Sequence, residues 1–594
     1  MSNSPSHEIS NKSLAEILYQ IAEYLEMQKV QFKPRAYQKV AQTIEGLEEE
    51  VSETYKRGGV KALIEIPGVG AGIAERIEEY VKTGRIKYYE ELKKATPVRL
   101  DQLARIEGLG PKSIQKLYQT LGVKNLKDLE KAAKSGKIAA LEGFGKKSEE
   151  KILKGIGFAE DSDKRFVLGY TWSRIRSMQA RLEKVPGVEK VTVAGSARRR
   201  KETIGDVDLL VVAKSSKEVM DVFISMPEVL AISANGPTKS SIKVRPGINV
   251  DLRVVPKESY GAALNYFTGS KAHNVALRGI AVKKNMKLNE YGLYSLRSGS
   301  AKAGGGNTKE QMIAGAREED IYKALGLDYV EPEIREDTGE IQAAQNHTLP
   351  KLIEYGGLMG DLQTQTDWTD GADSIEAMAR AALAKGLKYI VITDHTKRLA
   401  MTHGLDEKRI LQQMAEIDRV NKKLGGKIKI LKGSECDILK DGSLDLPDNI
   451  LAKLDVVGVS VHSHFTLSRA DQTARVKRAI ENPNADILFH PTGRLINKRP
   501  PIELDMDDII ATAKRTGTIM EVNSFPERSD LKDEYIRKCM EAGVRIAIDS
   551  DGHAVGHFSL LDNGISQARR GWAEKKDVIN AWPMEKMLKC LKKK

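Results

Sequence analysis

Apolar positions fall at helical spacing through residues 1–160, in short amphipathic segments. Three times an apolar or acidic residue is followed by Gly-x-Gly and a new helical run: IPGVGAGIAERI (66–77), EGLGPKSIQKL (107–117) and EGFGKKSEEKI (142–152). This is an internal repeat. Residues 191–213, VTVAGSARRRKETIGDVDLLVVA, instead read as an apolar strand, a Gly-Ser-basic loop and a second strand that starts beside Gly205. INVDLRVV (248–255) reads as a further strand able to pair alongside it. Residues 337–350, DTGEIQAAQNHTLP, lack apolar periodicity and end in proline, which predicts a linker. Beyond it, short apolar runs alternate with helical stretches to the end of the chain, as in a β/α barrel. At roughly 150 residues per domain, 594 residues also predict several domains rather than one.

Composition narrows the class. Hydrophobic residues make up 41% and charged residues 30%, and no apolar run approaches the ~18 residues that span a bilayer. The N-terminus MSNSPSHEIS has no secretory character, and Cys436, Cys539 and Cys590 are odd in number and far apart. A cytoplasmic protein without a disulfide scaffold is expected. The net charge is +13, and residues 151–300 hold 26 Lys+Arg against 14 Asp+Glu, so the positive field is concentrated in one internal region. A polyanionic partner is the natural expectation, with charge kept for solubility as the alternative.

The motifs add chemistry. Glycines two apart let a tight turn bring backbone N–H groups against a phosphate at a helix N-terminus. Gly68, Gly70, Gly108, Gly110, Gly143 and Gly145, with Lys112, Lys146 and Lys147 beside them, therefore read as sequence-independent DNA-backbone contacts. Taken singly, a Gly-x-Gly turn is more often just a helix C-cap, and it is the threefold recurrence that favours phosphate binding. Period two puts Asp206 and Asp208 on one strand face, where they repel unless a divalent cation neutralises them. Asp251 on a neighbouring strand makes a trio able to hold two Mg²⁺ ions. Gly195 and Ser196, with Arg198, Arg199 and Arg200, form a phosphate-binding turn just ahead of these acids, the pairing that phosphoryl transfer needs. In the last region, ligand-type residues sit where apolar runs end: His395, Glu435, His462, His490, Asp551 and His553. Seven of the ten histidines lie between 395 and 557, which suggests metal ligation.

The palm motif, Gly-Ser-x-Arg-Arg, Glu202 and Gly205-Asp206-x-Asp208 with Asp251 later, resembles the nucleotidyltransferase palm of family X DNA polymerases. The segment YFTGSKAHNVALRGIAVKKNMKLNEYGLYS (266–295) matches that family as closely, and EEDIYKALGLDYVEPEIRE (318–336) resembles the end of its core. The glycine turns resemble its helix-hairpin-helix elements, and FKPRAYQKVAQTI (32–44) its small N-terminal domain. The resemblance implies that Asp206 and Asp208 bind both metals and that Asp251 binds the one acting on the primer 3′-hydroxyl. It implies that Ser196, Arg199 and Gly205 hold the triphosphate, that Tyr266, Phe267 and Gly269 lie against the sugar, and that Asn274 and Arg278 contact the nascent pair and template. Read without the palm, Tyr266 and Phe267 are core aromatics and Asn274 is a helix cap. Lys271 departs from a position often acidic in relatives. Lys33 and Tyr37 would approach a gap's 5′-phosphate. Where lyase-active relatives place a Schiff-base lysine, this chain has Arg76, which stays protonated, so lyase chemistry is expected to be weak or absent unless Lys82 or Lys33 substitutes.

The C-terminal region resembles the PHP domain, the polymerase and histidinol phosphatase module, which in this family can hydrolyse phosphodiesters with three metals. Seven ligand positions are present: Asp370, His395, Glu435, His462, His490, Asp551 and His553. The family's leading His-x-His is replaced in GDLQTQTDWTDG by Gln363 and Gln365, whose carboxamides are poor ligands for Mn²⁺ or Zn²⁺. Hydrolysis is therefore expected to be impaired. The expected fold is multidomain α+β and α/β: a small helical DNA-binding domain (1–90), a helix-hairpin-helix fingers-type domain (91–160), a mixed-sheet palm (161–260), a nucleotide-selecting domain (261–336), the linker (337–350) and a distorted PHP-type β/α barrel (351–594). The expected function is a monomeric DNA polymerase that fills short gaps in repair, using dNTPs, gapped or primed DNA and Mg²⁺ or Mn²⁺ in the palm, with no membrane partner. Two other readings stay open: a 3′-end nuclease or phosphatase centred on the barrel, and a non-catalytic gap-binding scaffold.

Overall fold

The computed structural model describes residues 11–591 except 46, 48, 105, 107, 108, 163, 164, 246 and 298–308. Its contacts form two compact units, one of residues up to 164, 354–565 and 575 onward, the other of 165–353 and 566–574. In the first, short helices beginning with Asn11–Met27 and Lys33–Glu45 bury one apolar face each around Leu18, Ile21, Val40, Ile77, Leu103 and Leu117. Gly68 and Gly143 take positive φ at their turns, the left-handed backbone that glycine adopts at no steric cost. Gly70 and Gly110 then open the helices Ala71–Thr83 and Pro111–Leu121 without a side-chain cap.

The same unit contains seven parallel strands in sequential order, Gly360–Thr364, Tyr389–Ile392, Lys429–Asp437, Val456–Ser460, Ile487–Leu488, Ile519–Asn523 and Ile546–Asp549. A bridge between Thr364 and Gly552 brings the last strand's end back to the first. Fully buried runs such as YIVI and VVGVS are what strands covered on both faces require. Leu362, Val391, Leu431, Val456, Phe489 and Ala547 make up the barrel's apolar core with Trp582 and Met587.

The second unit is built on a five-stranded mixed sheet in the order Val188–Val193, Asp206–Ala213, Ile248–Val254, Lys239–Val244, Val229–Asn235. Its alternating side chains form two cores. One face buries Val207, Leu209, Val211, Val250 and Leu252 with residues of helices Leu168–Glu183 and Ser216–Ile224, and the other packs Leu210 and Val212 on helix Tyr260–Thr268. Helix Lys271–Lys283, the antiparallel strands Met286–Leu288, Leu293–Arg297 and Lys309–Ala314, and helix Glu318–Ala324 complete it.

The segment expected to be an irregular linker is ordered instead. Residues Glu340–Gln345 are helical, with Ala343 and Ala344 buried. Buried Glu340 accepts a 2.6 Å hydrogen bond from His273 Nδ1 and further bonds from the backbone N–H groups of Asp337 and Thr338. The boundary also moves, because Ser566–Glu574 belongs to this second unit rather than with the barrel.

Candidate functional site

Strand pairing brings the palm acids together. Asp206–Ala213 runs parallel to Ile248–Val254 with Asp208 opposite Asp251, so three carboxylates converge where the start of one strand lies beside the middle of the other. Asp206 is exposed and Asp208 half-buried. Burial, then the charges of Asp206 and Asp251, raise the Asp208 pKa to about 6, the mark of carboxylates placed too close without a cation. Burial also opposes ionisation of Asp251, but the Ser241 hydroxyl and Lys239 outweigh it and hold its pKa below the usual range. Lys239 Nζ lies 2.9 Å from Asp251 Oδ2. This lysine escaped the sequence reading because its strand pairs with the Asp251 strand only in the folded sheet.

The Gly-Ser turn abuts the trio. Gly195–Arg198 forms a single helical turn after strand Val188–Val193, and Gly195 has φ 64°. A Cβ on Gly195 would fall 2.5 Å from Asp208 Oδ2, so only glycine fits against that carboxylate. The three arginines then divide their work. Arg198 forms a fork with buried Glu318, with Nη1–Oε1 3.0 Å and Nη2–Oε2 2.6 Å, and Arg200 stacks on Trp172 at 3.6 Å. Arg199 donates to Glu336 at 3.1 Å and to the Thr268 carbonyl at 2.7 Å. Ser196 and Gly205 lie on the same end of the sheet, both half-buried.

Tyr266 is 37% exposed and Phe267 half-buried, their rings edge to face at 5.1 Å. The Arg253 guanidinium lies 4.6 Å from the Phe267 ring centre. Gly269 ends the helix, where a Cβ would meet Asn274 Oδ1 at 2.7 Å. Asn274 Nδ2 donates to the Tyr266 carbonyl at 2.7 Å, while the cap of helix Lys271–Lys283 is Ser270 rather than Asn274. Arg278 and Lys271 are exposed.

The barrel mouth collects its expected ligands. Asp370, His395 and His553 form one set able to hold a metal ion, and His395, Glu435 and His462 another. Glu435 Oε1 lies 2.7 Å from His490 Nε2 and 3.0 Å from His462 Nε2. Burial opposes ionisation of Glu435, but His395 and His462 keep its pKa well below the usual range. Burial likewise opposes charge on His462, yet Glu435 and Asp437 lift its pKa to about 9, whereas burial and Arg528 lower that of His490 to about 4. Among the described residues, Asp370 Oδ1, His395 Nδ1 and Asp437 Oδ2 are buried without a hydrogen-bond partner, as suits groups arranged for a cation.

The remaining positions fit a cation poorly. Gln365 Nε2 donates to Glu435 Oε2 at 2.9 Å, and Gln363 Oε1 faces Asn523 Nδ2 at 3.4 Å. Asp551 is taken by Arg528 Nε at 3.0 Å and Asn523 Nδ2 at 3.1 Å. Sequence reasoning missed Arg528, Asn523 and Asp437, whose approach depends on barrel closure. The histidine clustering also overstated the site. His403 and His464 are exposed, and buried His557 accepts from the His553 N–H, its own pKa lowered to about 3 by burial and His553.

At the hairpins, Gly68, Gly70, Gly110, Gly143 and Lys112 are exposed, Gly145 is half-buried, and Gly108 lies outside the described residues. The Lys33–Tyr37 pair is not a surface pair. Lys33 is exposed, but Tyr37 is buried, with Arg76 5.9 Å from its ring centre and 4.5 Å from that of Tyr88. Lys82 pairs with Glu78 at 2.8 Å, and hydrogen bonds to Glu78 and Tyr55 raise its pKa.

Comparison with known families agrees along the chain. A helix-hairpin-helix domain model matches residues 9–86, a SAM-like helix-hairpin-helix tandem matches 60–121 and 100–157, a DNA polymerase beta thumb matches 263–336, and a PHP domain matches 361–581. The DNA polymerase/3′-5′ exonuclease PolX of Bacillus subtilis is 36% identical over 585 residues, 98% of this chain and 99% of that protein. DNA polymerase lambda of Rattus norvegicus is 26% identical over 347 residues, 55% of this chain and 56% of its own. A probable phosphatase of Thermoanaerobacter is 33% identical over 216 residues, 34% of this chain and 82% of its own. Among the described residues no helix is long and apolar enough to cross a membrane.

Proposed function

The chain belongs to the family X DNA polymerases that carry a C-terminal PHP domain, and from that premise we propose that this DNA-directed DNA polymerase fills short gaps in repair while its PHP barrel hydrolyses 3′ ends poorly. One observation carries the polymerase site: Asp208 paired in register with Asp251, with Asp206 two residues away on the same strand. Asp206, Asp208 and Asp251 would hold divalent cations, Mg²⁺ or Mn²⁺, whose charge would lower the 3′-hydroxyl pKa and neutralise the leaving pyrophosphate. The protein does the positioning. The Gly195 backbone lets the Ser196–Arg199 turn lie against the acids, where Ser196, Arg199 and Gly205 receive the triphosphate. Tyr266 and Phe267 offer the edge-to-face ring pair against which the sugar is selected, and Asn274 fixes the carbonyl of Tyr266. The uncapped helix starts at Gly70 and Gly110 leave backbone donors for DNA phosphates.

Impaired hydrolysis rests on the amides of Gln363 and Gln365 standing where imidazoles would donate lone pairs. A second reading, real hydrolysis at the barrel, draws support from the two intact ligand sets. A labelled primer on a one-nucleotide gap bearing a 5′-phosphate, followed with and without dNTPs, tests both. Templated extension by the wild type that is lost in Asp206→Ala, with no 3′ shortening, is the expected result. Shortening by the wild type at a rate comparable with extension would establish the second reading. No extension by any form would leave only a gap-binding scaffold.

A further inference from the structure

We propose that Arg570, within the region matched by the PHP domain, is a positioning residue for polymerisation that sets the triphosphate-binding arginine Arg199. The proposal rests on the reading that Arg199 holds the triphosphate. The segment Ser566–Glu574 belongs to the palm-containing unit, and its two arginines explain how it is held there. Arg569 grips Glu333 through Nε–Oε1 at 2.8 Å and Nη2–Oε2 at 3.3 Å, and donates to the Ile353 carbonyl at 2.8 Å. With the segment anchored in this way, the neighbouring Arg570 donates through Nη1 to the Arg199 carbonyl at 2.8 Å, the Glu333 carbonyl at 3.1 Å and Glu336 Oε1 at 3.2 Å. Its side chain is 3% exposed. A guanidinium this buried persists only when its donors are matched, so the contacts are specific rather than incidental.

Two consequences reach Arg199. Its backbone N–H bonds the Gly195 carbonyl at 3.2 Å and so closes the Gly195–Arg198 turn, and Arg570 fixes the carbonyl on the other side of the same residue. Glu336, meanwhile, faces three cations: Arg199 Nε at 3.1 Å, Arg570 Nη1 at 3.2 Å and Lys201 Nζ at 3.6 Å. Shared among three, the carboxylate neutralises Arg199 only in part, and positive potential is left for an anion. Without Arg570, Glu336 holds Arg199 more tightly and a triphosphate must compete with it. The loss should therefore appear in dNTP affinity, not in the chemical step or in DNA binding.

The test uses the full chain on a one-nucleotide gap, comparing wild type, R199A, R570M, R570K, E336Q and E336Q/R570M for dNTP KM, kcat and DNA Kd. R570M is expected to raise the dNTP KM about tenfold, with kcat and Kd within about twofold. R570K keeps the charge but loses the planar guanidinium whose Nη1 reaches all three acceptors, and should raise KM about threefold. E336Q/R570M should recover most of the loss, which a merely structural defect would not. If R570M fails to fold, R570K and E336Q/R570M carry the same comparison. An unchanged KM in R570M or R570K beside a raised KM in R199A overturns the proposal and leaves the triphosphate reading standing. An unchanged KM in R199A overturns that reading and the proposal with it. A kcat loss of equal size in R570M and E336Q/R570M also overturns the proposal.

Discussion

The palm and the barrel both gather acids at strand ends, yet they hold them in opposite ways. The palm trio opens to solvent, and Lys239, on a side chain 41% exposed, pairs with its Asp251. The barrel buries Glu435 completely, and fixed donors from His490, His462 and Gln365 surround it, while Arg528 and Asn523 occupy Asp551. A carboxylate paired with a mobile ammonium can be handed to a metal at small cost. One whose lone pairs are met by a buried amide or a guanidinium is handed over at greater cost, because each displaced donor is left unsatisfied at about 1–3 kcal/mol. The same residue class thus has different chemical availability in the two places.

Removing the trio should break the comparison most severely. Asp206→Ala or Asp251→Ala is expected to lower single-nucleotide incorporation at least about a thousand-fold, on the scale of transition-state charge stabilisation, and to leave gap binding intact by fluorescence anisotropy. Next in size, Gln363→His with Gln365→His is expected to raise 3′-end hydrolysis about 10- to 100-fold in Mn²⁺, with a matching gain in metal content by mass spectrometry. If the double variant stays as it was, the amides are not what sets the barrel apart.

Acidity gives a third handle. Asp208 must be ionised to bind a cation, and its pKa is raised to about 6. Mn²⁺ affinity at the palm, read by electron paramagnetic resonance, should be flat above that pH and fall about tenfold per unit below it, as a proton competes for the carboxylate. A variant Asp208→Asn should lose this acid limb together with the binding. The smallest effect belongs to Lys239→Met. Because this pair is partly exposed, its loss should lower the half-saturating Mn²⁺ concentration only two- to threefold, by about 1 kcal/mol or less. A weaker metal response in that variant would mean that Lys239 assists the site rather than lending it a temporary counter-charge.

Local pattern made some of this legible and non-local packing hid the rest. Asp206 and Asp208 stand two apart on a strand, so a period-two reading put them on one face before any pairing was known. The ligand-type residues of the barrel were legible because each stands where a short apolar run ends. Lys239, Arg528 and Asn523 were not, because each reaches its carboxylate from a strand or loop distant in sequence. Tyr37 reads as a contact residue only through the resemblance of residues 32–44 to the family's N-terminal domain, and its ring lies buried in the helical core. The 337–350 segment carries too few apolar residues to show a period, and its order comes from Glu340 meeting His273. Arginine is normally a surface residue, so nothing in the pattern marked Arg569 and Arg570 for burial.

The path of the chain through the two units has a practical meaning for gene fragments. Reading from the N-terminus, the polypeptide enters the palm-containing unit at 165, leaves it after 353, re-enters at 566 and leaves again after 574. No single stop codon therefore releases that unit whole. A gene cut after 353 encodes every palm carboxylate but none of Ser566–Glu574, and any comparison of such a fragment with the intact polymerase measures a missing strut as well as a missing barrel.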